Sequence, residues 1–231
     1  MSIRTWAWRG LLALLLLFVL YQLWVFLHIC YWVHQNPNST AFMRDRLVLL
    51  QAQNSKARLK HQWVKYDDIS VHLKRAVVAA EDTKFMQHDG FDWDGIRHAY
   101  EKNLKKGKLV AGGSTISQQL AKNLFLSSQR TPWRKIQEAI ITLMLEKMMS
   151  KRRILEIYLN VIEWGDGVFG AEAAARHYYG VGARNLSRYQ AAKMAAMIPS
   201  PRYYDKHRST RYLERKTGTI QARMRLVEVP R

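Results

Sequence analysis

The residue with the clearest potential for chemistry in this sequence is Glu81, which begins the segment E-D-T-K-F-M-Q-H-D-G. Its neighbours one helical turn away, Val77 and Phe85, are apolar. Apolar surroundings and the negative end of a helix dipole both raise the pKa of a carboxyl group. A raised pKa suits a general base that works near neutral pH. The sequence leaves an alternative open, in which Glu81 is a helix-end acid that pairs with Lys84 or Arg75.

A second segment, residues 112–115, combines two glycines with a serine and a threonine at the predicted start of a helix. Backbone N–H groups at a helix start bind anions, and neighbouring hydroxyls add hydrogen bonds. Gln119 and Asn123 share one face of that helix, and Lys122 lies beside them as a point charge for a phosphate. The segment lacks a G-x-x-x-x-G-K pattern, which excludes a nucleotide-binding P-loop. An ordinary capped helix with polar exposure is the alternative.

A narrow polar stripe runs along the third predicted helix. Arg134, Glu138, Thr142 and Glu146 recur every four residues on a helix that is otherwise crowded with Ile, Leu and Met. Such a stripe either lines a cleft or faces water, and both interpretations stay open. Arg134 favours the ionised form of Glu138. Glu81 and Glu138 are therefore two carboxylates in contrasting environments, which is typical of divided acid–base and electrostatic roles.

The N-terminal part of the chain predicts a membrane-spanning helix over residues 11–33. No Lys, Arg, Asp or Glu occurs between residues 10 and 43, and a run of about 20 apolar residues matches the thickness of a bilayer. Arg4 and Arg9 precede the span and predict that residues 1–10 are cytoplasmic. The alternative is a cleaved signal peptide, but the run is longer than such peptides have and lacks an A-x-A cleavage site. We therefore expect an uncleaved, single-pass anchor.

The net charge of the 231-residue chain is +19. Such a charge favours nucleic acid, an anionic membrane surface or an acidic substrate as a partner. Nucleic acid is not expected, because the basic domain follows the span and should lie outside the cytoplasm. The single cysteine, Cys30, lies in the apolar segment, so an internal disulfide bond and a cysteine-based metal cluster are both excluded.

A short polar break near residues 35–40 ends the span. We assign residues 34–59 to a juxtamembrane connection and residues 60–231 to the main domain. The composition and the scarcity of alternating patterns predict an all-α domain with helices in six places. These helices lie at about 71–82, from 114 or 115 onward, and at about 131–149, 154–160, 171–178 and 189–197. Four lysines around Gly107 predict a basic, mobile loop at 102–111.

Five ordered motifs resemble those of the peptidoglycan glycosyltransferases of the lysozyme-like superfamily (glycosyltransferase family 51). The match is closest to the monofunctional, membrane-anchored, biosynthetic members, and it covers about residues 60–201. The motifs are E-D-x-x-F-x-x-H-x-G at 81–90, G-G-S-T-I-x-Q-Q-L-x-K-N-L at 112–124, R-K-x-x-E at 134–138, S-K-x-x-I-L-E-x-Y-L-N at 150–160 and G-x-x-G-x-x-A-A at 167–174. Several motifs in this order and spacing are far more specific than any one of them.

The resemblance implies a two-lobed, mainly α-helical, lysozyme-like glycosyltransferase domain at 60–231, with its motif core at 81–201, behind one transmembrane helix. It implies that the enzyme transfers a growing glycan from undecaprenyl pyrophosphate to the 4-hydroxyl of the N-acetylglucosamine of lipid II. The new link is β-1,4, the anomeric centre is inverted, and undecaprenyl pyrophosphate leaves. The resemblance further implies sensitivity to moenomycin and a place in the bacterial inner membrane, with the catalytic domain in the periplasm.

The resemblance also assigns roles to individual residues. Glu81 and Glu138 would be catalytic, with Glu81 as the base. Nine residues would bind the substrate or its pyrophosphate: Asp82, Phe85, His88, Ser114, Thr115, Gln119, Lys122, Asn123 and Arg134. The resemblance implies no organic cofactor and leaves open a Mg²⁺ or Mn²⁺ ion near Glu138. The implied partners are lipid II, the nascent glycan, the membrane, and proteins of cell division or elongation.

The sequence departs from the family pattern at two places. The residues Y-Y-G-V at 178–181 stand where the family often has a glycine–lysine pair, and residues 197–201 stand where bifunctional members carry a lysine and a glycine. A late phosphate-binding lysine is therefore not carried over to this chain.

Two other function classes remain open on the sequence. A lytic transglycosylase or lysozyme would share the fold class and the catalytic glutamate but would cleave glycan. A non-enzymatic basic membrane protein would use the charge alone. Because no S-x-x-K occurs in the sequence, we expect no penicillin-binding transpeptidase activity.

Overall fold

The computed structural model of the chain describes residues 3–108, 112–127 and 131–231. The chain forms two compact units, Met1–Asn36 and Pro37–Arg231, and each is described by itself. This boundary coincides with the polar break near residues 35–40. The segment 34–59, which we expected to be a connection, falls largely inside the second unit. The expected start of the main domain at residue 60, within that unit, stays a prediction.

The first unit is one long helix, α1 (Ile3–His34). Its stretch Trp6–His34 is long and apolar enough to cross a membrane, with a mean hydropathy of 2.4 over its most apolar 18 residues. Leucines in its middle are exposed, as lipid-facing side chains would be. The predicted helix over 11–33 is therefore confirmed, although it begins earlier than expected. A signal sequence would form the same helix, so the uncleaved anchor stays a prediction.

The second unit is mainly helical, which confirms the predicted fold class. Its helices in the described part of the chain are α2 (Ala41–Gln53), α3 (Val71–Glu81), α4 (Trp93–Lys106), α5 (Ile116–Phe125), α6 (Pro132–Met148), α7 (Lys151–Val161), α8 (Ala171–Tyr179), α9 (Arg188–Met197), α10 (Pro201–Lys206) and α11 (Arg211–Arg223). A small sheet has the order β1 (Lys60–His61), β3 (Val168–Phe169), β2 (Glu163–Gly165). Strand β3 runs parallel to β1 and antiparallel to β2.

Side-chain caps begin the helices where the sequence indicated. The Ser70 hydroxyl accepts the N–H of His72 at 3.2 Å, and Thr131 caps α6 with Pro132 at its first position. Ser150 caps α7 in the same way. Each cap satisfies a backbone donor that the first helical turn leaves without a partner, so these residues determine where the helices start.

Helix α4 is the main correction to the predicted secondary structure. Residues 102–106 belong to this helix instead of the predicted loop, and residues 109–111 lie outside the described residues. Asp92 caps the start of the helix, and Gly107 ends it with a left-handed φ of 60°. None of its residues is buried, although its apolar residues recur at helical spacing, and the lysines near its end favoured the loop interpretation. Helices α2, α10 and α11 were not predicted either.

The packing of the second unit brings residues of α3, α5, α7 and α11 together around one acidic residue. Helix α5 packs against α2, α6 and α7, while α3 packs against α9 and α11. Phe85 and Tyr158 are fully buried between these groups. Burial of large aromatic side chains contributes strongly to a core. The end of α3, the middle of α5 and the end of α11 are consequently held close to each other.

Candidate active site

Glu81 is the last residue of α3 and lies half-buried, with Phe85 fully buried after it. The Nε2 of Gln119 donates a hydrogen bond of 2.8 Å to Glu81 Oε2. Lys84 pairs with Asp94 at 2.8 Å instead of with Glu81. The alternative in which Glu81 is a helix-end acid paired with Lys84 or Arg75 is therefore wrong for the described part of the chain.

The amide of Gln119 is held in one orientation by a second hydrogen bond. The hydroxyl of Tyr158, on α7, donates to Gln119 Oε1 at 2.9 Å. Tyr158 is fully buried, and burial raises its pKa well above the usual value, so it remains a donor at neutral pH. The tyrosine, the amide and the carboxylate form a chain of hydrogen bonds that directs the NH₂ group of Gln119 toward Glu81.

The charge state of Glu81 is set by opposing effects. Burial raises the pKa of the Glu81 carboxyl, and this outweighs the hydrogen bond from Gln119, which favours the ionised form. The positive charges of Lys216 and Lys122 also favour ionisation. The net result is a carboxyl group with a raised pKa and donors that stabilise its charge, which is what a general base requires.

Glu81 lines a cavity of about 170 Å³. Ser114 and the glycines 112 and 113 form one side of this cavity, and Arg223 reaches it from the end of α11. The sequence predicted Ser114 at the site, whereas Arg223 was missed. No local pattern in the sequence marks Arg223, because only the packing of α11 on α3 brings it to Glu81.

A second cavity of about 340 Å³ lies on the other side of Gln119. Its polar lining includes three cations, Lys122, Arg134 and Arg202, together with Asn123 and Glu163. Burial lowers the pKa of Lys122. The Nε of Arg134 is buried and has no hydrogen-bond partner within the described residues. A buried donor without a partner costs free energy, so an anion in this cavity would satisfy a group that the protein leaves unpaired.

Glu138 points into the protein beside these cations. It is 3% exposed, and both Arg134, at 3.2 Å, and Lys135 pair with its two oxygens. Thr142 is fully buried on the same face, so the interpretation in which the polar stripe faces water is wrong. Arg134 lines the second cavity, whereas Glu138, Thr142 and Glu146 line neither of the two cavities, so a cleft along the whole stripe stays a prediction. Glu138 therefore orients cations, an electrostatic role.

The surroundings of Glu138 do not provide a donor set for a divalent cation. Both of its oxygens face cations, and no group of three His, Cys, Asp or Glu residues suited to a metal occurs in residues 3–108, 112–127 and 131–231. A Mg²⁺ or Mn²⁺ ion held here by protein side chains alone does not fit, and no step is derived through one.

The carboxylate of Asp82 lies at the start of α5, where we expected the pyrophosphate of the substrate to bind. Its Oδ2 accepts the N–H of Ile116 at 3.0 Å, and its Oδ1 accepts from His88 Nε2 at 2.9 Å. A carboxylate is stabilised at a helix N-terminus, and this one is the protein's own. The N–H of Ile116 is therefore occupied by the protein itself, and binding of the pyrophosphate by the rest of the helix start stays a prediction.

The remaining predicted binding residues have structural partners. The Thr115 hydroxyl donates to Gly90 O at 2.7 Å and caps α5, although Thr115 also lines the first cavity. His88 Nδ1 accepts the N–H of Gly90 at 3.1 Å, and Phe85 is fully buried. His88 and Phe85 line neither of the two cavities. Their position supports Asp82 and the end of α3, and substrate contact by them stays a prediction.

Lys216 on α11 is the residue of this site that the sequence reasoning missed most completely. It is half-buried, and burial lowers its pKa, while the charge of Glu81 acts in the opposite direction. Leu213, Thr217 and Ile220 are the buried residues of the same helix face. Lys216 and Arg223 are seven residues apart and therefore project from similar sides of α11.

The fold and the site together define a class of protein. A mainly helical domain holds a carboxylate with a raised pKa, Glu81, at one polar cavity, and Gln119 connects it to a second cavity that is rich in cations. Such an arrangement moves a proton at one place and holds an anionic group at another, as transfer enzymes with charged leaving groups do.

The comparisons with known proteins identify the family. The family model described as transglycosylase matches residues 48–225, and the chain belongs to this family. The chain is 70% identical over 223 residues to a protein of Methylobacillus flagellatus, covering 96% of this chain and 97% of the relative. A protein of Nitrosospira multiformis is 61% identical over 230 residues and the full length of both chains. Both relatives are named biosynthetic peptidoglycan transglycosylase.

Proposed function

We propose that this chain polymerises peptidoglycan glycan strands. It transfers the growing glycan from undecaprenyl pyrophosphate to the 4-hydroxyl of the N-acetylglucosamine of lipid II. The names of the relatives and the family match support this reaction. The structural observation that carries it is the position of Glu81, which lies beside one cavity and is joined through Gln119 to the cationic one.

Glu81 acts as the general base in this proposal. It takes the proton of the acceptor 4-hydroxyl, and the oxygen forms a bond to the anomeric carbon of the donor N-acetylmuramic acid. The bond from that carbon to the pyrophosphate breaks, and the configuration inverts. Gln119 stabilises the carboxylate before the transfer through its 2.8 Å hydrogen bond. Base catalysis by a positioned group typically contributes about 10²–10⁴-fold to the rate.

The leaving pyrophosphate lies in the second cavity. Lys122 and Arg134 face it, and the unpaired Nε of Arg134 is a donor for a phosphate oxygen. Arg202 from α10 adds a third cation and lies close to the segment 197–201, where bifunctional relatives carry a lysine. Glu138 holds Arg134 and Lys135 in place through its two oxygens.

The proposal includes an anchor in the bacterial inner membrane, formed by the N-terminal helix, with residues 1–10 in the cytoplasm and the catalytic unit in the periplasm; the length and apolarity of this helix support it. Helix α4 supports contact of that unit with an anionic membrane surface. Trp93, Tyr100 and Leu104 lie on one face of α4 and are 71%, 64% and 63% exposed, and the same helix contains three lysines. A basic helix with an exposed apolar face is typical of membrane surfaces. Cell-division or elongation proteins as partners rest on the resemblance alone.

Polymerisation of purified lipid II tests this function directly. We expect the full chain in detergent to convert lipid II into long glycan and to stop when moenomycin is added. Lys122→Ala should weaken donor binding, since the pyrophosphate loses one charge partner. An unchanged apparent KM for lipid II in this variant would contradict the role of Lys122 while leaving the reaction itself intact.

A lytic enzyme is the alternative that the same experiment separates. It would release soluble muropeptides from purified sacculi and would leave lipid II unpolymerised. Labelling with a fluorescent β-lactam should give no covalent adduct, because the chain contains no S-x-x-K. Muropeptide release without polymer formation would reverse the proposed direction of the chemistry.

A further inference from the structure

A third cavity of about 690 Å³ lies apart from the site of Glu81. It shares no lining residue with the two cavities described above. Lys74 and Arg75 of α3 line it, seven and six residues before Glu81, which places them about 10 Å away along the helix axis. The opposite wall is formed by residues 225 and 227–231.

The charged lining of this cavity is predominantly positive. Its cations come from three separate parts of the second unit, and two acidic side chains accompany them. The cations are Lys74, Arg75, Arg152, Arg225 and Arg231, and the acids are Asp67 and Glu228. Asp67 is already paired with Arg152 at 2.7 Å. The cavity therefore holds more positive charge than its own carboxylates neutralise.

Lys74 is the unusual residue in this set, because it is only 8% exposed. Its Nζ lies 3.9 Å from the centroid of the Tyr66 ring. In the described part of the chain no carboxylate approaches this ammonium group within 4.0 Å, and no acceptor hydrogen-bonds to it. Burial lowers its pKa. A buried ammonium without an acceptor is costly, and an anion in the cavity would supply the missing partner.

The two central cations are held in place before any ligand arrives. The Tyr66 ring is 2% exposed and lies beneath both Lys74 and Arg152, whose Cζ is 4.5 Å from the ring centroid. The Tyr66 hydroxyl donates to Pro230 O at 2.6 Å, which fixes the far wall. Burial raises the pKa of Tyr66 to about 12, so the ring stays neutral. A site whose groups are already ordered loses less entropy when a ligand binds.

We propose that this cavity binds a phosphate-bearing ligand, either a free phosphate or pyrophosphate group or the headgroup phosphate of an anionic lipid. Guanidinium groups match phosphate oxygens with paired hydrogen bonds, and more than one uncompensated cation favours a ligand with more than one negative charge. The volume lies within the range of about 300–1,000 Å³ that small-ligand sites occupy. The site is independent of the proposed polymerase chemistry.

Calorimetric titration of the full chain with inorganic pyrophosphate, in a non-ionic detergent, tests the site. The Lys122→Ala background is used because it weakens binding in the catalytic cavity. We expect Lys74→Met to reduce the affinity at least about tenfold, since it removes a buried charged partner but keeps the apolar stem over Tyr66. Arg225→Gln, at an exposed position, should reduce it about two- to fivefold. The control Lys147→Met removes an equal charge outside the cavity and should change nothing.

Three outcomes decide the proposal. Binding that is unchanged in both Lys74→Met and Arg225→Gln overturns it, and so does an equal loss in Lys147→Met, which would indicate general charge attraction. If Lys74→Met does not fold, as its thermal melt would show, Arg225→Gln alone decides. Poly-glutamate that binds as tightly as pyrophosphate, with the same dependence on Arg225, would overturn the assignment to phosphate.

The source of the phosphate is separated in lipid nanodiscs. With phosphatidylcholine alone, pyrophosphate should bind as it does in detergent. If a lipid headgroup is the natural ligand, phosphatidylglycerol will suppress this binding in the parent protein but not reduce it further in Lys74→Met. If the ligand is soluble, phosphatidylglycerol will leave the binding unchanged. The rate of lipid II polymerisation in Lys122→Ala is a separate measurement. It bears only on the proposed polymerase function and not on the third cavity.

Discussion

The substitution Tyr158→Phe removes one hydroxyl group and tests how Glu81 is tuned. In the parent protein this hydroxyl donates to Gln119 Oε1 at 2.9 Å, and Gln119 Nε2 donates to Glu81 at 2.8 Å. Without the hydroxyl, the Gln119 amide is no longer held with its NH₂ group toward the carboxylate. We therefore expect Glu81 to lose a donor that stabilises its ionised form, although Tyr158 itself does not contact Glu81.

The size of the effect follows from the hydrogen bond that is lost. A hydrogen bond to a charged group contributes about 1.5–3 kcal/mol. One pKa unit corresponds to about 1.36 kcal/mol, so complete loss of the Gln119–Glu81 bond would raise the pKa of Glu81 by about one to two units. This is the upper bound, because the substitution removes only the neutral bond from Tyr158 to Gln119. Burial already raises this pKa, and both changes have the same sign. The acidic limb of the kcat/KM profile should accordingly move to higher pH, by at most about two units.

The assay is the pH dependence of lipid II polymerisation by Tyr158→Phe between pH 5 and 9. Tyr178→Phe is the matched control, because it also removes a hydroxyl hydrogen bond, of 2.8 Å to Trp164 O, and Tyr178 does not contact Gln119 or Glu81. The control should keep the acidic limb of the parent protein. An unshifted limb in Tyr158→Phe, or an equal shift in Tyr178→Phe, would refute the role of the hydrogen-bond chain.

Other substitutions test charge and packing elsewhere. Lys216→Met should move the acidic limb to higher pH, because the removed cation favours ionised Glu81, and Lys216→Arg should restore the limb; identical profiles would contradict this coupling. Gly170→Ala should destabilise the protein by more than about 1 kcal/mol in chemical denaturation, since φ is +82° and a Cβ would lie 2.7 Å from Asn160 O. Gly218→Ala, in the middle of α11 with no atom within 4 Å of the added Cβ, should instead stabilise it by about 0.5–1 kcal/mol, and a destabilised Gly218→Ala would show that α11 is misplaced.

The helices that bury an apolar face were predictable from the sequence. Three of them start at side-chain caps, Ser70, Thr131 and Ser150, at or near the predicted helical segments. Helix α4 was missed because its lysines resemble those of a solvated loop, although Trp93, Tyr100 and Leu104 recur at helical spacing. Apolar periodicity in a single sequence indicates a helix, but it does not show whether the fold buries that face.

The candidate site was predictable in its components but not in its connections. The sequence pointed to Glu81, Gln119, Lys122 and Arg134, and the structure brings these residues to two adjoining cavities. The sequence did not indicate that Asp82 would occupy the start of α5. That contact joins residues 82 and 116 through the tertiary fold, and a local pattern carries no information about it.

Lys216 is another residue of the site that local sequence patterns did not reveal, and it lies far from Glu81 along the chain. It lies on a helix with many charged residues, and most lysines of that kind are solvated. Only the packing of α11 against α3 places it near Glu81. Tyr158 differs, because its motif was recognised in the sequence, whereas its hydrogen bond to Gln119 became visible only in the structure.

The central claim is that Glu81 is the base of the glycosyl transfer, and Glu81→Gln tests it most directly. Glutamine keeps the shape of the side chain, and it removes a half-buried carboxylate whose raised pKa lowers stability as the pH rises from the ordinary glutamate pKa through the raised one. Thermal melting at neutral pH should therefore show an unchanged or higher Tm. The rate of lipid II polymerisation should fall at least about a hundredfold. A folded Glu81→Gln protein that polymerises lipid II within a few-fold of the parent rate would contradict the account.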